Sequence, residues 1–406
     1  MGKQFDKRVE YAINQLWVNP YEGDGAKAKA MLEEAAKEGD GDACFFLGRC
    51  YLGECFVSPL FGFEENFDKG EEYFNKSIEL GSAVGMFGTQ RLAGFKPACG
   101  SFVHAPYNSL QEIWDAVVEL ANNGQVFCQY MVGNAYYYGD CIEMLGIPDD
   151  KVTPDLIHKF QLEAANLFEQ CIAQGLTMGI GNLIDILSSG DYGVKPDEKR
   201  VQELIKRGAE LHNPYYECEY AHSIEDKNFE QALQLYEDSL RHGGSDAYYY
   251  LGMIYSNGTK VKRDVHKAIE YYEKGIAADS HWTGCTNLLG EIYFHGKDDV
   301  APDYDKAFSL FIKVREENEW CSSMLGHCYL KGLGTPVNYE AALKEFSVYP
   351  AQELSAIGLG EMYCYGLGVD KKISTGMNHL NKFPNNERVK EIKSHFKKTL
   401  FGWKEV

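Results

Sequence analysis

The segment 94–108 (GFKPACGSFVHAPYN) places Cys99 five residues before His104. A thiol beside an imidazole is the pairing that generates a thiolate nucleophile, provided a third group orients the imidazole. No such third residue is evident nearby, so the expectation for this stretch is a packed irregular loop. The other reactive residue types are scattered. The 12 cysteines contain no Cys-x-x-Cys pair, which removes the usual spacing of a zinc site. No His-Glu-x-x-His, Gly-x-Ser-x-Gly or Gly-x-x-x-x-Gly-Lys-Ser/Thr motif occurs. Gly358 and Gly360 flank a leucine inside a helical phrase rather than in a dinucleotide loop. Neither a catalytic constellation nor a metal or cofactor site is expected.

Composition narrows the partners. Hydrophobic residues make up 45% of the 406-residue chain and charged residues 25%, which suits a folded protein and not a disordered one. The net charge of −20 argues against binding nucleic acid or anionic membranes, both of which call for clustered Lys and Arg. The N-terminal 17 residues are charged and amphipathic, without an apolar run suited to a signal peptide, and no stretch is apolar for long enough to span a bilayer. A cytoplasmic, monomeric protein is the expectation.

The elements that position side chains are announced by repetition. One phrase recurs: a small residue, three others, Leu-Gly, two others, Tyr, two others, Gly. Its best copies are 247–258 (AYYYLGMIYSNG), 285–296 (CTNLLGEIYFHG), 321–332 (CSSMLGHCYLKG) and 355–366 (SAIGLGEMYCYG). The copy 128–139 carries Val132 for Leu, and 43–53 is one residue short. Weaker copies begin at Ala83 and Gly179, and a degenerate one surrounds Tyr220. The small residue, Leu and Tyr lie at i, i+4 and i+8, one face of a helix. The glycine beside Leu admits a close neighbour, and the last glycine ends the helix. Cys128, Cys285 and Cys321 occupy the small position, which marks them as packing residues. A second helix follows each phrase, with Asp264 and Asp303 placed as N-caps, Pro154 at a first helical position and Ser109-x-x-Glu112 as a capping box.

This pattern resembles the Sel1-like repeat family, a branch of the tetratricopeptide-type helical repeats, from about residue 26 to about residue 380. The resemblance implies an all-α fold, a right-handed α/α superhelical solenoid of about nine helix-pair repeats with a concave inner face. Residues 1–25 are expected to form an N-terminal capping helix and linker, and 381–406 a C-terminal capping helix centred on 385–400. Insertions at 54–66, 94–108 and 140–152 interrupt the first half. The repeat around 215–242 has lost its Leu-Gly, and its first helix is expected to be short or tilted. In a secreted, cysteine-rich subgroup of the family, paired cysteines stand eight residues apart. No two cysteines here do, which weakens transfer of that subgroup's hydrolase activity.

In the related repeats, ligands meet the first helices two residues before the Leu, two after it and just after the Tyr. Carried over, the implied binding residues are Arg49, Tyr130, Asn134, Tyr137, Tyr138, Tyr249, Met253, Asn287, Glu291, His295, His327 and Glu361. Phe45, Leu52, Ser256, Asn257, Phe294, Ser323, Leu330, Lys331, Ile357 and Tyr365 share the same register. A set rich in Tyr, amide and mixed charge suits a protein or peptide surface. Tyr137, Tyr138 and Tyr249 lie off the repeat-defining tyrosines and are the favoured contacts. The expected function is a non-catalytic scaffold or adaptor. The rival is a small-molecule binder or hydrolase-like enzyme with a pocket under an N-terminal-half insertion, and a third alternative is a self-associating structural protein.

Overall fold

The computed structural model describes residues 4–21, 23–53, 63–190, 193–278, 283–316, 318–399 and 402–406. Regular structure among them is helical, apart from a C-terminal hairpin and one isolated bridge. No helix is long and apolar enough to cross a membrane. The chain divides into two compact units, Met1–Ile224 and Glu225–Val406.

Each phrase is one helix, and outside the degenerate copy the helix after it packs against it as its pair. In the first unit the pairs are Gly41–Tyr51 with Phe67–Glu79, Ala83–Gln90 with Leu110–Asn122, Val126–Tyr138 with Pro154–Ala173, and Ile180–Ser189 with Glu198–Glu210; Pro214–Ile224 closes the unit. The second unit opens with Phe229–Arg241. Its pairs are Asp246–Asn257 with Val265–Ala278, Thr283–His295 with Tyr304–Val314, Glu319–Lys331 with Tyr339–Val348, and Glu353–Tyr365 with Ile373–Leu380. The helix of the degenerate repeat, Pro214–Ile224, is 11 residues long, against 12 for Asp246–Asn257 and 13 for Thr283–His295. The boundary between the units falls directly after it.

The local chemistry explains the turns. Gly258, Gly296, Gly332 and Gly366 adopt φ between +66° and +75°, where a side chain is strained. The carbonyl of the phrase tyrosine then accepts the N–H of the next helix's N-cap residue: Asp264 to Tyr255 at 3.0 Å, Asp303 to Tyr293 at 2.7 Å and Asn338 to Tyr329 at 2.9 Å. The cap side chains close the other end of the turn, with Lys267 N–H donating to Asp264 at 3.0 Å and Lys306 N–H to Asp303 at 3.1 Å. Replacing Asp303 with alanine is expected to cost about 1 kcal/mol through the unsatisfied first-turn N–H groups. Urea denaturation checks this, and Asp303→Asn should recover most of the loss. Thr153 and Ser109 cap as expected, accepting from Leu156 at 3.2 Å and from Glu112 at 3.2 Å.

Between the paired helices, the glycine beside the phrase leucine receives a large side chain. A Cβ built on Gly252 would lie 2.3 Å from the Tyr272 ring, on Gly290 2.4 Å from Phe311, on Gly326 2.5 Å from Phe346 and on Gly48 2.5 Å from Phe74. Those four rings are buried. The small position is buried in the same layer, with Ala43, Cys128, Ala247, Cys285 and Cys321 at 0% exposure. Burial pushes the Cys128 thiol far up and the Cys321 thiol to about 12, so both are packing groups and not nucleophiles.

The ends are covered. Phe5, Val9, Ile13, Leu16 and Trp17 are buried by the N-terminal helix Lys7–Ile13 and its π-helical continuation Asn14–Val18. The Trp17 ring lies tilted to Phe46, 5.3 Å between centres, and edge-on to Phe127 at 5.5 Å. The C-terminus departs from the expected single helix over 385–400. The helix runs only over Glu387–Ser394, and Phe396–Thr399 then pairs with Gly402–Glu405 in an antiparallel hairpin. Among the described residues past Ser394, Phe396 alone is buried. Strand geometry lets it reach Tyr365, at 5.4 Å between rings, while Lys397 and Lys398 stay in solvent.

Of the three insertions, 54–62 lies outside the described residues. Phe63 of the remainder is buried edge-on against Tyr51. In 94–108, Phe95 packs edge-on to Phe74 at 5.8 Å and the Ala98 N–H donates to Asn75 at 2.7 Å. In 140–152, Cys141 and Met144 of a one-turn helix are buried.

Candidate functional site

The loop bearing Cys99 and His104 does not assemble a nucleophile. The Cys99 thiol is exposed and donates to the Ser101 carbonyl at 3.1 Å, while the imidazole Nδ1 of His104 is buried with no hydrogen-bond partner among the described residues. The residues that do converge lie on the first helices.

In the first unit most of the expected contact residues are tied to protein. The Arg49 guanidinium sits 4.9 Å from the Phe127 ring centre and 5.7 Å from that of Phe45, a cation held between two aromatic faces. Tyr130 is half-buried against Phe127. Asn134 is buried and accepts from Asn182 at 2.6 Å, and the Tyr137 hydroxyl donates to Asp185 at 3.2 Å. Asn182 and Asp185 belong to the following first helix, so adjacent repeats are cross-linked along this row. Tyr138 alone of the set is open, at 62% exposure, edge-on to Tyr137 and with the Arg91 guanidinium 5.7 Å from its ring centre.

In the second unit the same register opens. Met253, Ser256 and Asn257 from one first helix face Leu288, Glu291, Ile292 and His295 from the next, around a depression of about 340 Å³ floored by Tyr272. Lys297, just past the turn glycine, closes one side and donates to Ser256 Oγ at 2.7 Å. Burial raises the Glu291 carboxyl above its ordinary value, and His295 and Lys297 pull it partly back. Tyr249 is half-buried, and the nearness of Glu291 contributes to its raised hydroxyl pKa behind the larger effect of burial. Asn287 is engaged one layer deeper, accepting from the Cys321 thiol at 3.3 Å.

Further along the row, the pKa of His327 is lowered, by burial first and by Lys331 second. Ser323 is buried and shares a hydrogen bond with Ser355 at 2.7 Å. The last repeat's positions are covered. Glu361 is ion-paired to Lys331 and, at 2.8 Å, to Arg388; Tyr365 bonds His395 at 2.6 Å; and Ile357 packs in the cluster that includes Phe396. Burial alone would push the Glu361 carboxyl up, but the Lys331 and Arg388 hydrogen bonds outweigh it and hold the group below its usual range.

Register therefore locates Met253, Glu291 and His295 at one open depression, and places Glu361 under a C-terminal cover. It misses Lys297 and Arg388. The first lies outside the helical phrase and the second in a helix with no repeat register. Only the basic character of the C-terminal segment hinted at Arg388.

The Sel1 repeat model matches residues 19–40, 41–82, 126–148, 245–280, 285–314, 322–344 and 354–383, together about half of the chain. No curated protein matches the sequence. The crystal structure of a protective antigen present in uropathogenic Escherichia coli strains, displaying an SLR fold, is similar at a TM-score of 0.58 and 23% identity, over 95% of this chain and 78% of that one. The crystal structure of a Sel1 repeat protein from Oxalobacter formigenes is similar at a TM-score of 0.51 and 20% identity, over 82% of this chain and 89% of that one. At these identities the likeness concerns the fold.

Proposed function

Since the chain belongs to the Sel1 repeat family, we propose that it is a non-catalytic scaffold that binds a protein or peptide on the face where its first helices align. Stacked helical repeats present such faces as extended binding surfaces. The observation that carries the reading is the depression at Met253, Asn257, Glu291 and His295. There, one apolar wall and several side-chain hydrogen-bonding groups from two successive repeats stand open together. That lining suits a side chain of a larger ligand, whose remaining contacts extend along the row to Tyr249.

The test is site-specific photo-crosslinking. A photoreactive residue at Asn257, on the row, is compared with one at Lys206, away from it, in cells of the source organism. The expected result is a discrete protein adduct at Asn257 only, lost on adding Met253→Trp, which fills the depression. Equal adducts at both positions, or an adduct indifferent to Met253→Trp, would sink the assignment of this face.

A further inference from the structure

The last repeat shows what the position two residues after the phrase leucine is built to hold. Glu361 occupies that position after Leu359 and takes Arg388, at 2.8 Å, from a C-terminal helix laid over the row. Lys331, two residues after the preceding repeat's tyrosine, is its second cation. Two repeats earlier the equivalent acid is Glu291, two residues after Leu289. The residue equivalent to Lys331 there is Asn257, two after Tyr255, and it carries no charge. Among the described residues no arginine is paired with Glu291. Among the described residues Glu291 makes no ion pair and no hydrogen bond, and the one lysine on the depression, Lys297, is bonded to Ser256.

We propose that Glu291 and its depression receive an arginine or lysine side chain from a basic segment of a partner protein, the intermolecular counterpart of Arg388 on Glu361. The inference rests on the reading of this face as a protein-binding surface and names the chemistry of what binds there. The aliphatic stem would lie against Met253, Leu288 and Ile292, and the cation would meet the carboxylate beside the Asn257 amide. A half-buried carboxylate without a partner gains more from a docked guanidinium than an exposed one does, because the site is already desolvated. The net charge of −20 draws a basic segment in from a distance. An acidic segment would meet Glu291 head-on, with a lysine already bonded to Ser256 and the His295 imidazole as the groups left to receive it.

The experiment uses the full chain and octapeptide libraries, random except for a central residue fixed as Arg, Lys, citrulline, Gln or Glu. Binding is measured to wild type, Glu291→Gln, Lys297→Met and Met253→Trp, with folding of each followed by circular dichroism. Wild type should favour the Arg and Lys libraries over the citrulline, Gln and Glu libraries by about tenfold, the scale of one charge-assisted hydrogen-bonded contact. Glu291→Gln should abolish that preference, and Lys297→Met should keep it. Because Glu291→Gln removes one charge from a strongly acidic protein, a merely general attraction for cations would survive it. A preference for Glu, or an Arg preference unchanged in Glu291→Gln, overturns the inference. Met253→Trp-sensitive binding without an Arg or Lys preference overturns it while leaving the binding face intact. Absence of any Met253→Trp-sensitive binding removes both.

Discussion

Replacing Phe346 with alanine is expected to destabilise the second unit by about 3–5 kcal/mol, the range for truncating a fully buried phenylalanine. The ring has 0% exposure and fits a notch made by two glycines on successive first helices. A Cβ on Gly326 would lie 2.5 Å from Cε1 of the ring, and a Cβ on Gly358 2.3 Å from Cζ. Phe346 therefore joins its own pair, Glu319–Lys331 with Tyr339–Val348, to the next first helix, Glu353–Tyr365. Alanine would leave a void that the helices cannot close, since their separation is also set by Ala342, Leu330, Leu359 and Met362 in the same cluster. Filling the notch from the other side should also cost stability: Gly326→Ala drives a methyl into the ring, at about 1–3 kcal/mol for overpacking. Stacked repeats transmit loss mainly to nearest neighbours. Hydrogen exchange should therefore show protection falling over 319–380 and holding through the first unit. A cost for Phe346→Ala below about 1 kcal/mol in urea denaturation would show that the notch relaxes, against the close packing argued from the glycines.

The second large effect concerns Glu361. Its side chain is 6% exposed, and Lys331 and Arg388 hold its carboxyl below the ordinary range against the opposing effect of burial. With the folded pKa depressed, the unfolded chain binds the proton more readily. Stability from this group is therefore full above the unfolded value and is lost as pH falls through the folded one. Replacing both cations, Lys331→Met with Arg388→Met, leaves a buried carboxylate with neither partner. The expected loss near pH 7 is about 3 kcal/mol, the low end for an uncompensated buried charge. The sign of the pH dependence should also reverse. Burial alone raises the carboxyl, so the double variant should gain stability as pH falls through the raised value, where wild type loses it. Each single variant leaves one cation in place, and the departing partner is itself partly solvated, so a loss of about 1 kcal/mol or less is expected. Chemical denaturation of the four proteins between pH 4 and pH 8 measures both the size and the slope. Parallel slopes for wild type and the double variant would mean that Glu361 is solvated in ways the ion pairs do not govern.

Most of the architecture was legible because it is written locally. A small residue, Leu and Tyr at four-residue spacing define one helical face wherever they occur, and Asp264, Asp303, Thr153 and Ser109 announce helix starts with side chains that reach only three residues. The degenerate repeat marks the limit of that signature. Losing Leu-Gly at Tyr220 removes the sign of close packing, yet Pro214–Ile224 is still an 11-residue helix, with Ala221 buried where the glycine would be. The C-terminus was misjudged because the charged run past residue 385 has helix propensity. The burial of Phe396 against Tyr365, which draws it into a hairpin, depends on a residue about thirty positions away.

The sequence alone determined the family, the alternation of first and second helices, the burial of the phrase cysteines and the list of side chains that share one register on the first helices. Only the tertiary structure decided which of those side chains are open. Glu291 and Glu361 stand at the same position of the same phrase, two residues after a leucine, and no local pattern separates them. One opens into a depression and the other lies under Arg388, because exposure is set by whatever segment packs across the row, and that segment comes from a distant part of the chain with a register of its own.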